Sequence, residues 1–267
     1  RMILNIIQPD IGSITLNNHP ITEESKNVLG YLPEERGLYK KSTIENTLLY
    51  FASLKQVPPA SARKMIEPWL ERFNFEGMGK RKVEELSKGN QQKVQFIAAV
   101  LHNPDLLILD EPFSGLDPLN QVLFKEVVMD LRKQGKAIIF CTHQLESAET
   151  ICDDILLINK GQAVLNGSLE SIKQQFTHNS LLVEFEGDGT FIHQLPIVQR
   201  AAVEKGKAEI ELNQGVSTNQ LIQELIPHLQ ISNFQKSTPS LLSIFTSVVG
   251  AENLSSDFLS QTAKELN

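Results

Sequence analysis

The sequence predicts an α/β protein, with a parallel sheet packed between helices and a small α+β module after it. Three observations carry that prediction. Two short apolar runs, Leu106 to Leu109 and Ala137 to Cys141, read as strands buried on both faces. Between them, Val122, Leu123, Val127, Val128 and Leu131 form one stripe of a helix over Asn120 to Gln134. Past Thr177-His178-Asn179 the pattern becomes an apolar–acidic alternation, as in Leu181 to Glu186, which suits strands with one wet face. Apolar strands joined by helices require a parallel sheet covered on both sides.

The remaining elements follow in chain order. Met2, Ile3, Ile6 and Ile7 make one face of a helical tail ending at Gln8-Pro9, and no capping residue precedes it. The expectation is a helix that begins upstream of Arg1. Ser13 to Leu16 reads as a strand and Asn17-Asn18 as its turn; Val28 to Leu32 is a second apolar strand, stopped by Pro33. Ser42 to Leu54 is helical, with Ser42 or Thr43 as cap, Glu45 in the first turn, and Ile44, Leu48, Leu49 and Phe51 on the apolar side. Ala60 to Phe73 forms a second helix, and a third runs from Ser87 to Leu101. Strands at Ile155 to Ile158 and Ala163 to Leu165 flank the turn Asn159 to Gln162, and a helix at Ser168 to Phe176 closes this part. The module after it has the expected order ββαβα: Leu181 to Glu186, Ala208 to Leu212, Thr218 to Leu229, Ile231 to Gln235, Pro239 to Val249. Residues 251–267 read as a polar tail.

Composition removes several function classes. Apolar residues make up 41% and charged residues 21% of the 267, which excludes wholesale disorder. With 25 Lys and Arg against 32 Asp and Glu, the net charge of −7 offers no general attraction to nucleic acid, so no such partner is expected. Two cysteines, Cys141 and Cys152, exclude a disulfide framework and favour a reducing compartment. The apolar runs fall far short of the ~20 residues that cross a bilayer. A soluble, cytoplasmic chain without a leader is the expectation.

Four segments carry chemistry. Leu106 to Pro112 puts two carboxylates, Asp110 and Glu111, where a central strand ends, the place ligands occupy in open parallel sheets. One carboxylate there can hold Mg²⁺ through its water shell while the other faces an attacking water. Ser87 and Gly89, in Leu86 to Lys93, open a helix whose free N–H groups and dipole suit a phosphate. Ser114-Gly115-Leu116-Asp117-Pro118 makes a tight turn after the acidic pair, and Cys141-Thr142-His143 ends the next strand with an imidazole able to meet a phosphate oxygen. Taken singly, each has an ordinary explanation: an acidic turn, a serine cap, a structural histidine.

Their order and spacing within Leu86 to His143 resemble the nucleotide-binding subunit of ABC transporters, over roughly Arg1 to Phe176. Leu86 to Asn90 resembles the signature motif in the variant form Leu-Ser-Lys-Gly-Asn. Leu106 to Asp110 is similar to Walker B, with Glu111 as the adjoining glutamate, Ser114 to Asp117 to the D-loop, and His143 to the switch histidine. The later strands followed by Pro239 to Phe245 resemble the accessory domain of ABC-2-type exporter ATPases, including sodium-efflux and drug-export relatives; regulation and plain packing both remain readings of it.

The resemblance implies a P-loop NTPase-like core over residues 1–176 with a helical subdomain at about 43–101, an accessory α+β domain at 177–250, and bound ATP and Mg²⁺. Asp110 would hold the metal, with Glu34 as a second candidate ligand, Glu111 would act as base, and His143 would position the γ-phosphate. Ser87, Lys88, Gly89 and Asn90, with Ser114, Gly115 and Asp117, would complete the site across a head-to-tail homodimer or ABC heterodimer. Hydrolysis would drive a transmembrane permease on the inner face of the membrane, in the direction of export. Competing readings are a non-hydrolysing regulatory subunit, a soluble ABC ATPase not linked to transport, and a pure interaction protein.

Two departures stand out. The phosphate-cradling pattern G-x-x-x-x-G-K-[ST] is absent: Gly79-Lys80, Gly135-Lys136 and Gly206-Lys207 are followed by Arg81, Ala137 and Ala208. The adenine-stacking aromatic of relatives, which lies further upstream, is missing too. A fragment and a degenerate subunit both fit. At Gly30 to Glu35, Glu34 stands where relatives commonly place Gln, a position that senses the metal and the permease.

Overall fold

The computed structural model describes residues 1–35, 37–176, 180–236 and 239–249. The expected tail at 251–267 and the texture change at 177–179 lie outside them. The chain divides into two compact units, Arg1–His143 and the part from Gln144 onward.

The first unit is built on three parallel strands, β3 (Leu29–Leu32), β4 (Leu106–Asp110) and β5 (Ala137–Cys141), ordered β3-β4-β5. Before them, β1 (Thr15–Leu16) and β2 (His19–Pro20) form a minimal hairpin around Asn17 and Asn18. Both asparagines have positive φ, 53° and 64°, the turn that matches strand twist. In the central strand β4, Leu106 to Leu109 are all buried. β5 departs from the buried strand expected: Ala137 and Cys141 are exposed and the residues between them only half-buried. Among the described residues it pairs on one side only, so its outer edge is uncovered.

Three helices precede β4: α1 (Ile44–Leu54), α2 (Pro59–Arg72) and α3 (Lys88–Val100). Thr43 rather than Ser42 caps α1, accepting the Asn46 N–H at 3.2 Å. Between β4 and β5 runs α4 (Pro118–Lys133), capped by Asp117. Phe73, Phe96 and Phe124, from the end of α2, α3 and α4, meet at centroid distances of 4.8–5.7 Å and lock these elements together. Gly30 is required by close approach, because a Cβ there would stand 2.4 Å from the Ala99 carbonyl and 2.8 Å from Leu107 Cδ1. Only glycine lets α3 lie this close to β3.

The helical tail expected over Arg1 to Gln8 is shortened to one closing turn over Arg1 to Ile6. Asn5 has φ 52°, its N–H bonds the Met2 carbonyl, and the Ile6 N–H bonds that of Arg1. These paired bonds around a left-handed residue are the closing turn of a helix end, so helical geometry stops at Asn5. The buried contact is Leu4, while Met2, Ile6 and Ile7 of the expected apolar face are exposed.

The second unit opens with α5 (Leu145–Ile151), the hairpin β6 (Asp154–Asn159) and β7 (Gln162–Ser168), and α6 (Leu169–Phe176). An antiparallel sheet follows, built from β8 (Ser180–Glu186), β9 (Val198–Glu204), β10 (Lys207–Leu212) and β11 (Gln230–Lys236), in the order β11-β8-β10-β9. Helix α7 (Thr218–Leu225) lies between β10 and β11, and α8 (Leu241–Val249) comes last. Strand β9 corrects the expected ββαβα order. Its sequence sets Gln199, Arg200 and Glu204 among small apolar residues, of which Val198, Ala201 and Val203 pack on the core. Leu181, Val183 and Phe185 pack with Ala208, Ile210 and Leu212 of the neighbouring strand and with Leu221 and Leu225 of α7. Glu149 of α5 accepts the Leu241 N–H that heads α8 and pairs with Lys173 of α6. That knot ties α5, α6 and α8 together within the second unit.

Candidate nucleotide site

Apolar strand β4 carries Asp110 to its carboxyl end, and Glu111 follows with φ 46°. A left-handed backbone is uncommon for a residue with a side chain and costs ~1 kcal/mol or more. Its N–H still bonds the Cys141 carbonyl at 2.9 Å, so the bend comes after the last sheet bond. The bend turns the carboxylate toward the end of β5. There Oε1 accepts the His143 backbone N–H at 2.7 Å and lies 2.7 Å from His143 Nδ1, while Oε2 accepts from the Thr142 hydroxyl at 3.0 Å. The Glu111 side chain is 13% exposed and that of His143 48%. The acidic residue is thus mostly sheltered and the imidazole half open to water.

Asp110 sits in register with Cys141. Partial burial of the sulfur, then the Asp110 carboxylate, push the Cys141 thiol up; the same two causes raise Tyr31. Among the described residues the Asp110 carboxylate carries no hydrogen bond, and no group of three or more His, Cys, Asp or Glu stands ready to hold a metal alone. A single uncommitted carboxylate fits Mg²⁺, which keeps most of its shell as water and phosphate oxygen.

Ser87 caps α3 by accepting the Asn90 N–H at 3.3 Å. The amide of Gln91 braces the approach to this cap, donating to the Val83 and Leu86 carbonyls at 3.2 and 3.1 Å. Ser87 and Lys88 are exposed, Gly89 and Asn90 half-buried. A Cβ on Gly89 would lie 3.4 Å from Leu116 Cδ2 and 3.6 Å from the Gly115 carbonyl, so the α3 entrance touches the 114–117 turn. That turn is anchored by the Ser114 N–H on the Glu111 carbonyl at 3.1 Å. At its far end Asp117 accepts from the Asn120 N–H and side chain, which with the Lys93 cation hold its carboxyl below the usual range.

The structure therefore brings Glu111 to His143, joins Ser114 to Glu111, and seats Gly89 against Gly115. Glu34 is exposed on the loop after β3, apart from these contacts. Three contributors escaped the sequence reading. Thr142 was legible only as a neighbour of the histidine. Lys93, 5% exposed with its Nζ 5.7 Å from the Phe75 ring, and Gln95, 6% exposed, had no local signal, being polar residues in the buried stripe of a helix.

Comparison with known proteins gives two family matches. Residues 1–114 match the ABC transporter family, and residues 167–249 match the C-terminal domain of DrrA1-3-like ATP-binding proteins. The ABC transporter ATP-binding protein YhaQ of Bacillus subtilis is 42% identical over 257 residues, covering 94% of this chain and 84% of its own length. The Nod factor export ATP-binding protein I of Burkholderia thailandensis is 34% identical over 171 residues, covering 63% of this chain and 56% of its own. A solved ATP-binding subunit of an ABC transporter superposes with a TM-score of 0.61 at 31% identity, over 66% of this chain and 74% of that one.

Proposed function

Since the chain belongs to the family of ABC transporter ATP-binding proteins, we propose that it is the subunit that binds and hydrolyses ATP to power a membrane exporter. One observation carries the hydrolytic part of this reading: the Glu111 carboxylate is held against His143 at the carboxyl end of the central strand. A sheltered carboxylate there can take the proton of a water that attacks a phosphoryl group, which makes Glu111 the base. His143, through its half-open imidazole, donates to a γ-phosphate oxygen. Asp110, with Glu34 as the second candidate, would hold Mg²⁺, which when bound would neutralise charge on the phosphates. Ser87, Lys88, Gly89 and Asn90 present the first-turn N–H groups, a hydroxyl and a cation to the nucleotide of a facing subunit. The 114–117 turn lies between the two sets of contacts. The facing subunit is a second copy or a related ABC chain.

Among the described residues no helix is long and apolar enough to cross a membrane. In this reading a permease supplies the path, and the subunit works on the inner face of the membrane. The Glu34 loop and helices α1 to α3 are the docking side. Export is supported by the likeness to a Nod factor export ATP-binding protein.

Glu111→Gln in the transport complex tests the reading. Nucleotide binding should persist while hydrolysis falls by about 100-fold or more; turnover at the wild-type rate refutes Glu111 as base.

A further inference from the structure

Helix α3 buries two glutamines on its inner side, Gln92 at 1% and Gln95 at 6% exposure. Gln95 reaches the loop after β3, where its Nε2 donates to the Pro33 carbonyl at 3.4 Å and to the Glu35 carbonyl at 3.1 Å. These carbonyls bracket Glu34, so one amide holds both sides of it. The amide cannot be reversed, since that would set its oxygen against two carbonyl oxygens. As placed, its Oε1 is buried with no partner. An orphaned acceptor works against folding, and an aliphatic side chain of the same length would fill the space without it. Packing therefore does not explain an amide here; the two donated bonds do.

A second contact acts alongside. Ala99, one turn beyond Gln95, presses its carbonyl on Gly30 so closely that no side chain fits there. The segment from Gly30 to Glu35 is thus tied to α3 at two points on one face of the helix. Ser87 caps the same helix and Gly89 lies in its first turn, roughly 12 and 9 Å from Gln95 at 1.5 Å per residue.

We propose that Gln95 is a positioning residue that fastens the Glu34 loop to α3, so that displacement of the helix entrance is passed to Glu34 as a rigid-body movement. The proposal rests on the reading of Ser87 and Gly89 as phosphate contacts and of Glu34 as a metal-side or docking residue. It makes Glu34 answer to the nucleotide that α3 meets, not only to its own strand.

Two variants separate fastening from packing. Gln95→Met keeps length and apolar fill but has no donor; Gln95→Glu turns a carboxylate toward the two carbonyls. Hydrogen exchange in the peptide Leu29 to Glu35 should accelerate by about tenfold in both, with α3 protection unchanged and Tm of the Met variant within about 4 °C of wild type. In the transport complex, kcat should fall by about five- to tenfold with KM for ATP within about twofold. Equal exchange of that peptide in wild type and variants overturns the proposal, as does a loss confined to KM or one that only follows Tm. The exchange result needs no nucleotide, so it stands or falls separately from the Glu111→Gln test.

Discussion

Glu111 combines a left-handed backbone with a carboxylate held by two donors, and two substitutions pull these apart. Glu111→Ala removes the acceptor from the His143 N–H and the Thr142 hydroxyl but keeps a Cβ at φ 46°. A hydrogen bond to a charged group contributes about 1.5–3 kcal/mol when fully sheltered. His143 is half open, so water takes over part of this, and the sum of the two bonds comes to about 2 kcal/mol. Glu111→Gly loses the same bonds but relieves about 1 kcal/mol of backbone strain. The glycine variant should therefore be destabilised by only about 1 kcal/mol. Trp69, the only tryptophan, lies in α2 of the same unit and stacks on Phe73, so thermal unfolding followed by its fluorescence reads the unit that matters. The expected Tm order is wild type, then Gly, then Ala, with about 2–4 °C between the last two. An alanine variant as stable as the glycine variant would refute a strained backbone at 111.

Two further predictions concern the other end of the same sheet. Burial first, then the charges of Lys55 and Lys136, lower His102 to about 4, although its Nε2 bond to the Leu29 carbonyl opposes the shift. The unfolded ring takes up its proton near pH 6.5 and the folded ring only near 4, so stability falls as pH drops through that window and is fully present above it. Allowing for partial exposure, the loss reaches about 2 kcal/mol; His102→Gln should flatten urea midpoints measured between pH 7 and 4.5. Gly30→Ala forces a Cβ into the Ala99 carbonyl and should cost about 3 kcal/mol through displacement of α3, read by the same tryptophan signal.

Much of this arrangement was legible from residues alone. An unbroken Leu-Leu-Ile-Leu run pointed to a central strand, and Ser87 and the Ser42-Thr43 pair announced helix starts through their oxygen side chains, whereas Asp117 read as part of a tight turn and its capping role went unseen. The acidic pair and the histidine were foreseeable as neighbours because adjacent parallel strands deliver their carboxyl ends to one edge. What stayed hidden was long-range or conformational. Nothing local told that Asn5 would turn left-handed and end the helix, or that Glu111 would bend back onto β5. Gln95 finds its partners sixty or more positions away, a distance over which helical periodicity is silent. β5 read as a buried strand because apolar content reports what a strand can bury, not how many neighbours it has. Strand β9 stayed hidden because its core-facing residues, Val198, Ala201 and Val203, are small and irregularly spaced, too weak an apolar pattern to stand out.

Cys141 gives the acidic end of the sheet a chemical handle. It is the exposed one of two cysteines, in register with Asp110, while Cys152 is half-buried. A maleimide dye or spin label would attach there in preference, although slowly at neutral pH, because the thiolate that reacts is disfavoured. No cysteine need be engineered to place a reporter beside the two carboxylates, and its environment would register what arrives at them.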